Sequence, residues 1–135
     1  RTMADVLAPA SAEHFRGWFF EIFPRLVDVE SQRRPDPHHV EQCLEEAGFS
    51  LVSRQQLAEE RRTYADTDEL RADLMARTGR SILHELDDHE LAQLADRVCE
   101  QLNSRLGDSQ LIREIDHWTV WKAIVSPAGG GSRWL

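Results

Sequence analysis

The sequence predicts an α+β fold of about four helices and two or three strands. Three observations predict it. Leu91, Leu94, Ala95, Val98, Leu102 and Leu106 recur at helical steps behind Asp87 and Glu90, a pair spaced as a capping box. Pro37 and Gly48 bracket a second helical period: Pro stands where a missing amide costs nothing, Gly where a helix ends in a left-handed turn. From Trp118 to Val125 both alternating faces are apolar or amphipathic, the mark of a strand that expects cover on each face and neighbours along each edge.

The elements follow in order. Ser11 can cap a helix whose Phe15, Trp18, Phe19, Ile22 and Phe23 form one aromatic stripe, until Pro24 weakens its continuation. Leu26 to Asp36 reads as a loop or short extended link, with Leu26–Val29 as the place for a third strand. The helix from Pro37 carries Val40, Cys43, Leu44 and Ala47 as its inward stripe. Phe49 to about Glu59 is a strand with one apolar and one polar end, expected to run from the core to a rim. Thr67 caps a helix through Ala76, with Leu70, Leu74 and Met75 inward and Gly79 as its stop. The capping-box helix runs to Gly107, and Leu111 to Val125 is the last strand. Residues 126–135, with Gly129-Gly130-Gly131, are expected to form a flexible tail beyond a folded region of 1–125.

At 135 residues the chain is one domain, and its 41% hydrophobic content is lean for a self-sufficient core. A formal net charge of −8 argues against nucleic acid or an anionic membrane as the main partner. No apolar run is long enough to span a bilayer and no signal peptide is present. Cys43 and Cys99 lie far apart without a CxxC neighbour, so both read as reduced, buried thiols of a cytoplasmic protein. A start at Arg1-Thr2 reads as a trimmed tag or a piece of a longer chain.

Few residues offer chemistry. His84 and His89 are five apart across a helix cap, not four apart on one face as metal-binding pairs are, and a solvated helix entry is the expectation. His38 and His39, being consecutive, point apart. Asp116 and His117 fall on opposite faces of a strand and cannot readily form a catalytic dyad. The aromatic stripe is expected to be core. No catalytic, cofactor-binding or metal-binding residue is assigned.

A two-strand sheet is marginal in water, and a last strand this apolar invites aggregation if its edge is bare. A partner strand is therefore expected from another chain or a missing domain. The order of elements has a resemblance that supplies one. A helix ending in Glu45-Glu46-Ala47-Gly48-Phe49, a strand, a helical excursion, and a closing strand His117-Trp118-Thr119-Val120-Trp121-Lys122-Ala123 resembles the C-terminal part of class I S-adenosylmethionine-dependent methyltransferases. The excursion Thr67 to Gly107 is similar to the helical insertion that small-molecule members place before the last strand, and Arg77-Thr78-Gly79-Arg80-Ser81-Ile82-Leu83 looks like the sequence some of them carry there. The resemblance covers roughly Thr2 to Ile124 and implies an incomplete Rossmann-like sheet whose last strand is antiparallel.

The resemblance also implies what is missing. The family's glycine-rich cofactor turn and acidic strand end belong to an N-terminal half, and the only glycine cluster here, Gly129–Gly131, stands at the wrong end. S-adenosylmethionine is thus expected as cofactor of the complete enzyme only, with none for this chain alone. Trp18, Phe19, Tyr64 and Arg77 are the substrate-side candidates, as cleft wall or lid over a small organic molecule. The expected partner is the missing N-terminal half. The alternative is a non-enzymatic binding or dimerisation module that pairs its strand edges with a second copy.

Overall fold

A long antiparallel ribbon organises the molecule: β1 (Phe49–Tyr64) pairs with β2 (Ile112–Val125) from Tyr64↔Ile112 at one end to Phe49↔Val125 at the other. The computed structural model describes residues 1–107 and 110–125, so the expected tail lies outside the described residues. Two register shifts, between Leu51 and Ser53 and between Glu60 and Arg62, place an extra residue on β1 each time and add twist to the ribbon.

Around the ribbon lie α1 (Met3–Val6), α2 (Gly17–Ile22), α3 (Arg25–Arg33), α4 (Pro37–Glu46), α5 (Thr67–Met75), a 3-10 turn (Ser81–Glu85) and α6 (Asp88–Arg105). The fold is α+β with a two-strand antiparallel sheet among the described residues. Its core sits at one end of the ribbon only. Phe15, Phe19, Leu26, Leu74, Leu91 and Leu102 close there over Tyr64 and Ile112, the root of the two strands. The capping box at the start of α6 forms as its spacing predicts, with Asp87 accepting from the Glu90 amide and Glu90 from the Asp87 amide.

Several expectations are corrected. Leu26–Val29 is neither a strand nor part of a link: α3 occupies it, entered through Pro24 at its N-cap. The inward position Glu30 is charged yet buried, because Arg33 and Arg34 each donate to its carboxylate, at 2.6 and 2.7 Å. An apolar period cannot register such a position. Ser11 caps no helix; its Oγ accepts the His14 amide in a turn, and the helix begins at Gly17. The N-cap of α5 is Asp66, whose carboxylate accepts from Glu69, and Thr67 is the first helical residue. That helix stops earlier than Gly79, through Arg77 in the left-handed region at φ 56°.

The ribbon also runs opposite to expectation. The apolar start of β1 is the exposed end, whereas Tyr64 at the polar end is buried. No residue of α4 is fully buried, and Cys43 is exposed rather than core. The physical reason is shared: α4 packs on the outer half of the ribbon, where the described residues supply no second layer.

Candidate functional site

Residues of a strand alternate the direction of their backbone groups, so along β2 every second residue faces β1 and the others face outward. The outward groups are met by the N-terminal segment. The Ile115 amide donates to the Glu13 carbonyl at 2.9 Å, the His117 carbonyl accepts from Arg1 Nε at 3.0 Å, and the Thr119 amide donates to Asp5 Oδ2 at 3.1 Å. Asp5 is fully buried and also accepts from the Thr2 amide, the Thr119 hydroxyl and Gln56 Nε2. Burial pushes its carboxyl up, but the hydrogen bonds of the Thr2 amide, the Thr119 hydroxyl, Gln56 and the Thr2 hydroxyl outweigh it and hold it below the usual range. The chain thus covers by itself part of the edge that was expected to need outside partners, which corrects that expectation as far as Thr119. Beyond Thr119 the outward groups of Trp121 and Ala123 have no backbone partner among the described residues, and neither has the outer edge of β1.

Side chains directly opposite in the ladder share a face. One face carries Ile112, Glu114, Asp116, Trp118, Val120, Lys122 and Ile124 of β2 in succession. Its first residue lies in the core, and its last four are exposed, Trp118 at 38% and Ile124 at 53%. The middle of this face is a buried charge cluster. Arg80, with no exposed side-chain surface, donates through Nη2 to Glu114 Oε1 (2.6 Å) and Tyr64 Oη (2.9 Å), and through Nη1 to Asp73 Oδ2 (3.0 Å). Tyr64 Oη donates to Asp73 Oδ2 at 2.5 Å. Arg61 adds a hydrogen bond to Glu114 at 2.7 Å and Arg62 one to Asp73 at 2.9 Å.

The cluster is ionised in the folded protein. Burial raises the Glu114 carboxyl, but the charges of Arg80 and Arg16 outweigh it and hold it low. Burial likewise raises Asp73, offset by the hydrogen bonds of Tyr64 and Arg80. Tyr64 is pushed up, first by burial and then by its bond to Asp73, so it stays a neutral donor. Nothing in this set is poised as a base or nucleophile; it clamps the helical excursion to the root of β2.

The four substrate-side candidates are not brought together around a cavity. Trp18 and Phe19 lie in the core, with Arg105 over the Trp18 ring at 5.2 Å. Tyr64 sits in the charge cluster. Arg77 donates to the Leu83 and Leu86 carbonyls at 3.2 and 2.9 Å and so ties the 3-10 turn to α5. A cavity of about 470 Å³ lies on the other face of the ribbon, between α1, the start of α4 and Gln56. Sequence reasoning missed the charge cluster, since Arg80 and Glu114 are 34 residues apart. The one available signal was a charged residue at an inward-facing strand position.

His14 and His117 face one another across the β2 edge, ring centroids 6.3 Å apart. His14 Nε2 lies 3.1 Å from the Val6 carbonyl, which fixes it as the protonated nitrogen. Burial, with Arg16 and Arg1 nearby, lowers its pKa and keeps the ring neutral. Asp116 pairs with Arg1 at 3.2 Å and not with His117. Cys43 Sγ lies 3.6 Å from His39 Nε2, and Cys99 is buried with its thiol pushed up by desolvation.

Among the described residues no three His, Cys, Asp or Glu side chains are grouped to hold a metal ion, and no helix is long and apolar enough to cross a membrane. Compared with protein-family models, curated proteins and solved structures, the chain matches none.

Proposed function

We propose that the chain is the C-terminal, substrate-side portion of a class I S-adenosylmethionine-dependent methyltransferase acting on a small organic molecule. The carrying observation is the unevenly finished ribbon. Its root is enclosed by the chain's own helices, while beyond Thr119 β2 keeps an open edge and exposes Val120 and Ile124. In this reading a strand of an N-terminal portion continues the ladder along Trp121 and Ala123, and the two strands become the end of a Rossmann-like sheet. The order helix, Gly48, β1, helical excursion and antiparallel β2 supports it, with Gly48 at φ 93° making the turn into the strand. The N-terminal portion would bind the methyl donor; this chain would contribute shape, burial and orientation, the terms that dominate a displacement held in line.

The test is direct. The reading frame upstream of Arg1 should encode a glycine-rich strand–turn–helix, and the longer protein should bind S-adenosylmethionine in a calorimeter where this chain does not. Clear binding of S-adenosylmethionine by the 135-residue chain alone overturns the proposal.

A second reading, a module that pairs with its own copy, draws on the same open edge and on the exposed Leu57, Val120 and Ile124. Light scattering separates the two: a stable dimer favours the module, and a monomer that aggregates with concentration favours the interrupted sheet.

A further inference from the structure

We propose that Arg1, Arg16 and Trp118 form a binding site for the carboxylate of an apolar or aromatic acid. The first ground is charge. Four arginines no more than 21% exposed (Arg1, Arg16, Arg61 and Arg80) pair with three buried carboxylates, Asp73, Glu114 and Asp116, in a chain whose net charge is −8. Glu59 lies opposite Asp116 in the ladder but is exposed to water, so the buried group keeps a cationic surplus.

The second ground is unmet hydrogen bonding. The Arg1 and Arg16 side chains are only 5% and 8% exposed, yet Arg1 Nη2 and Arg16 Nε have no partner among the described residues. Both guanidiniums converge on Asp116 Oδ1, at 3.2 and 4.0 Å, so one carboxylate serves two cations. Buried donors left unpaired are costly, and a planar carboxylate is the anion that guanidinium forks hold best. Arg80 Nε is also unpartnered but lies deeper in the cluster.

The third ground is what adjoins the cations. Arg1 lies over the Trp118 ring at 5.9 Å, and Leu57, directly opposite Trp118, is exposed beside Val120. An acid would place its carboxylate on the two arginines, displacing Arg1 from the ring, and lay its apolar body along Trp118 and Leu57. That such an acid is the methyl acceptor rests on the proposed function; the binding itself does not.

The experiment uses the full chain with phenylacetate and its neutral twin phenylacetamide, titrated by calorimetry without methyl donor. Phenylacetate should bind about ten-fold tighter or more than the amide. Arg16→Met and Arg1→Met should each reduce that preference, and Trp118→Ala should weaken both ligands alike. Should Arg16→Met fail to fold, Arg1→Met decides. Equal binding of acid and amide, binding of neither, or an acid preference untouched by the arginine variants overturns the site. Such a failure leaves the proposed function standing, whereas S-adenosylmethionine binding by this chain alone would end that reading and leave the site.

Discussion

The Asp5 carboxylate takes the Thr119 backbone amide at 3.1 Å, doing with a side chain what a neighbouring strand would do with a carbonyl. The same carboxylate closes the Thr2 capping box of α1, so one buried residue ties the N-terminal segment to the ribbon edge. Asp5→Ala leaves the Thr119 amide and the Thr2 donors unmet together. It should cost about 2–3 kcal/mol in urea unfolding, against a few tenths for the exposed Asp28→Ala.

Glu114 accepts from Arg80 and Arg61 and lies 3.5 Å from Arg16, with almost no exposed surface. Removing its charge strands three cations. Glu114→Gln should destabilise by about 3 kcal/mol or more in the same assay, and Glu114→Gln with Arg80→Met should cost less than the two changes summed.

Arg77 combines a left-handed backbone with two side-chain bonds to carbonyls. Arg77→Ala loses the bonds and keeps the backbone conformation; Arg77→Gly loses the bonds and removes the steric cost. The glycine variant should therefore be the more stable of the two by about 1 kcal/mol in thermal melts.

His14 is held neutral, its pKa below the ordinary 6.5 through burial and the nearby arginines. With the folded pKa lowered, the unfolded chain takes up its proton first as pH falls below about 6.5. Stability should decline from there until the folded pKa is reached. Asp73 and Glu114 act in a separate window: their lowered pKa values give stability that is present above about pH 4.3 and lost as pH falls through the folded values. Urea midpoints across pH 7 to 5 should fall for the native chain and flatten for His14→Gln, while the loss below pH 4 remains.

Much of the architecture was legible because its signals are local. Pro37, Gly48 and the Asp87–Glu90 box mark helix ends through chemistry confined to a few neighbouring residues, and the double-faced apolar run from Trp118 marks β2. What escaped was decided at a distance. Glu30 holds an inward position in α3 only because two arginines on the next turn neutralise it. β1 continues through the charged residues Glu60 to Arg62 because β2 and the charge cluster receive them. The cluster depends on Tyr64, Asp73, Arg80 and Glu114 meeting from separate elements, which no spacing rule reports. The expectation of an unfinished edge is corrected as far as Thr119, where residues 1–13 finish it by side chains and loop carbonyls rather than a strand.

Hydrogen exchange of individual β2 amides, followed by NMR in dilute solution, measures how far that edge is finished. The Ile115 and Thr119 amides should be strongly protected, and those of Trp121 and Ala123, the next outward-facing residues, should exchange quickly. Equal, concentration-independent protection at all four would mean that the chain closes its own sheet, contradicting the reading of an interrupted one.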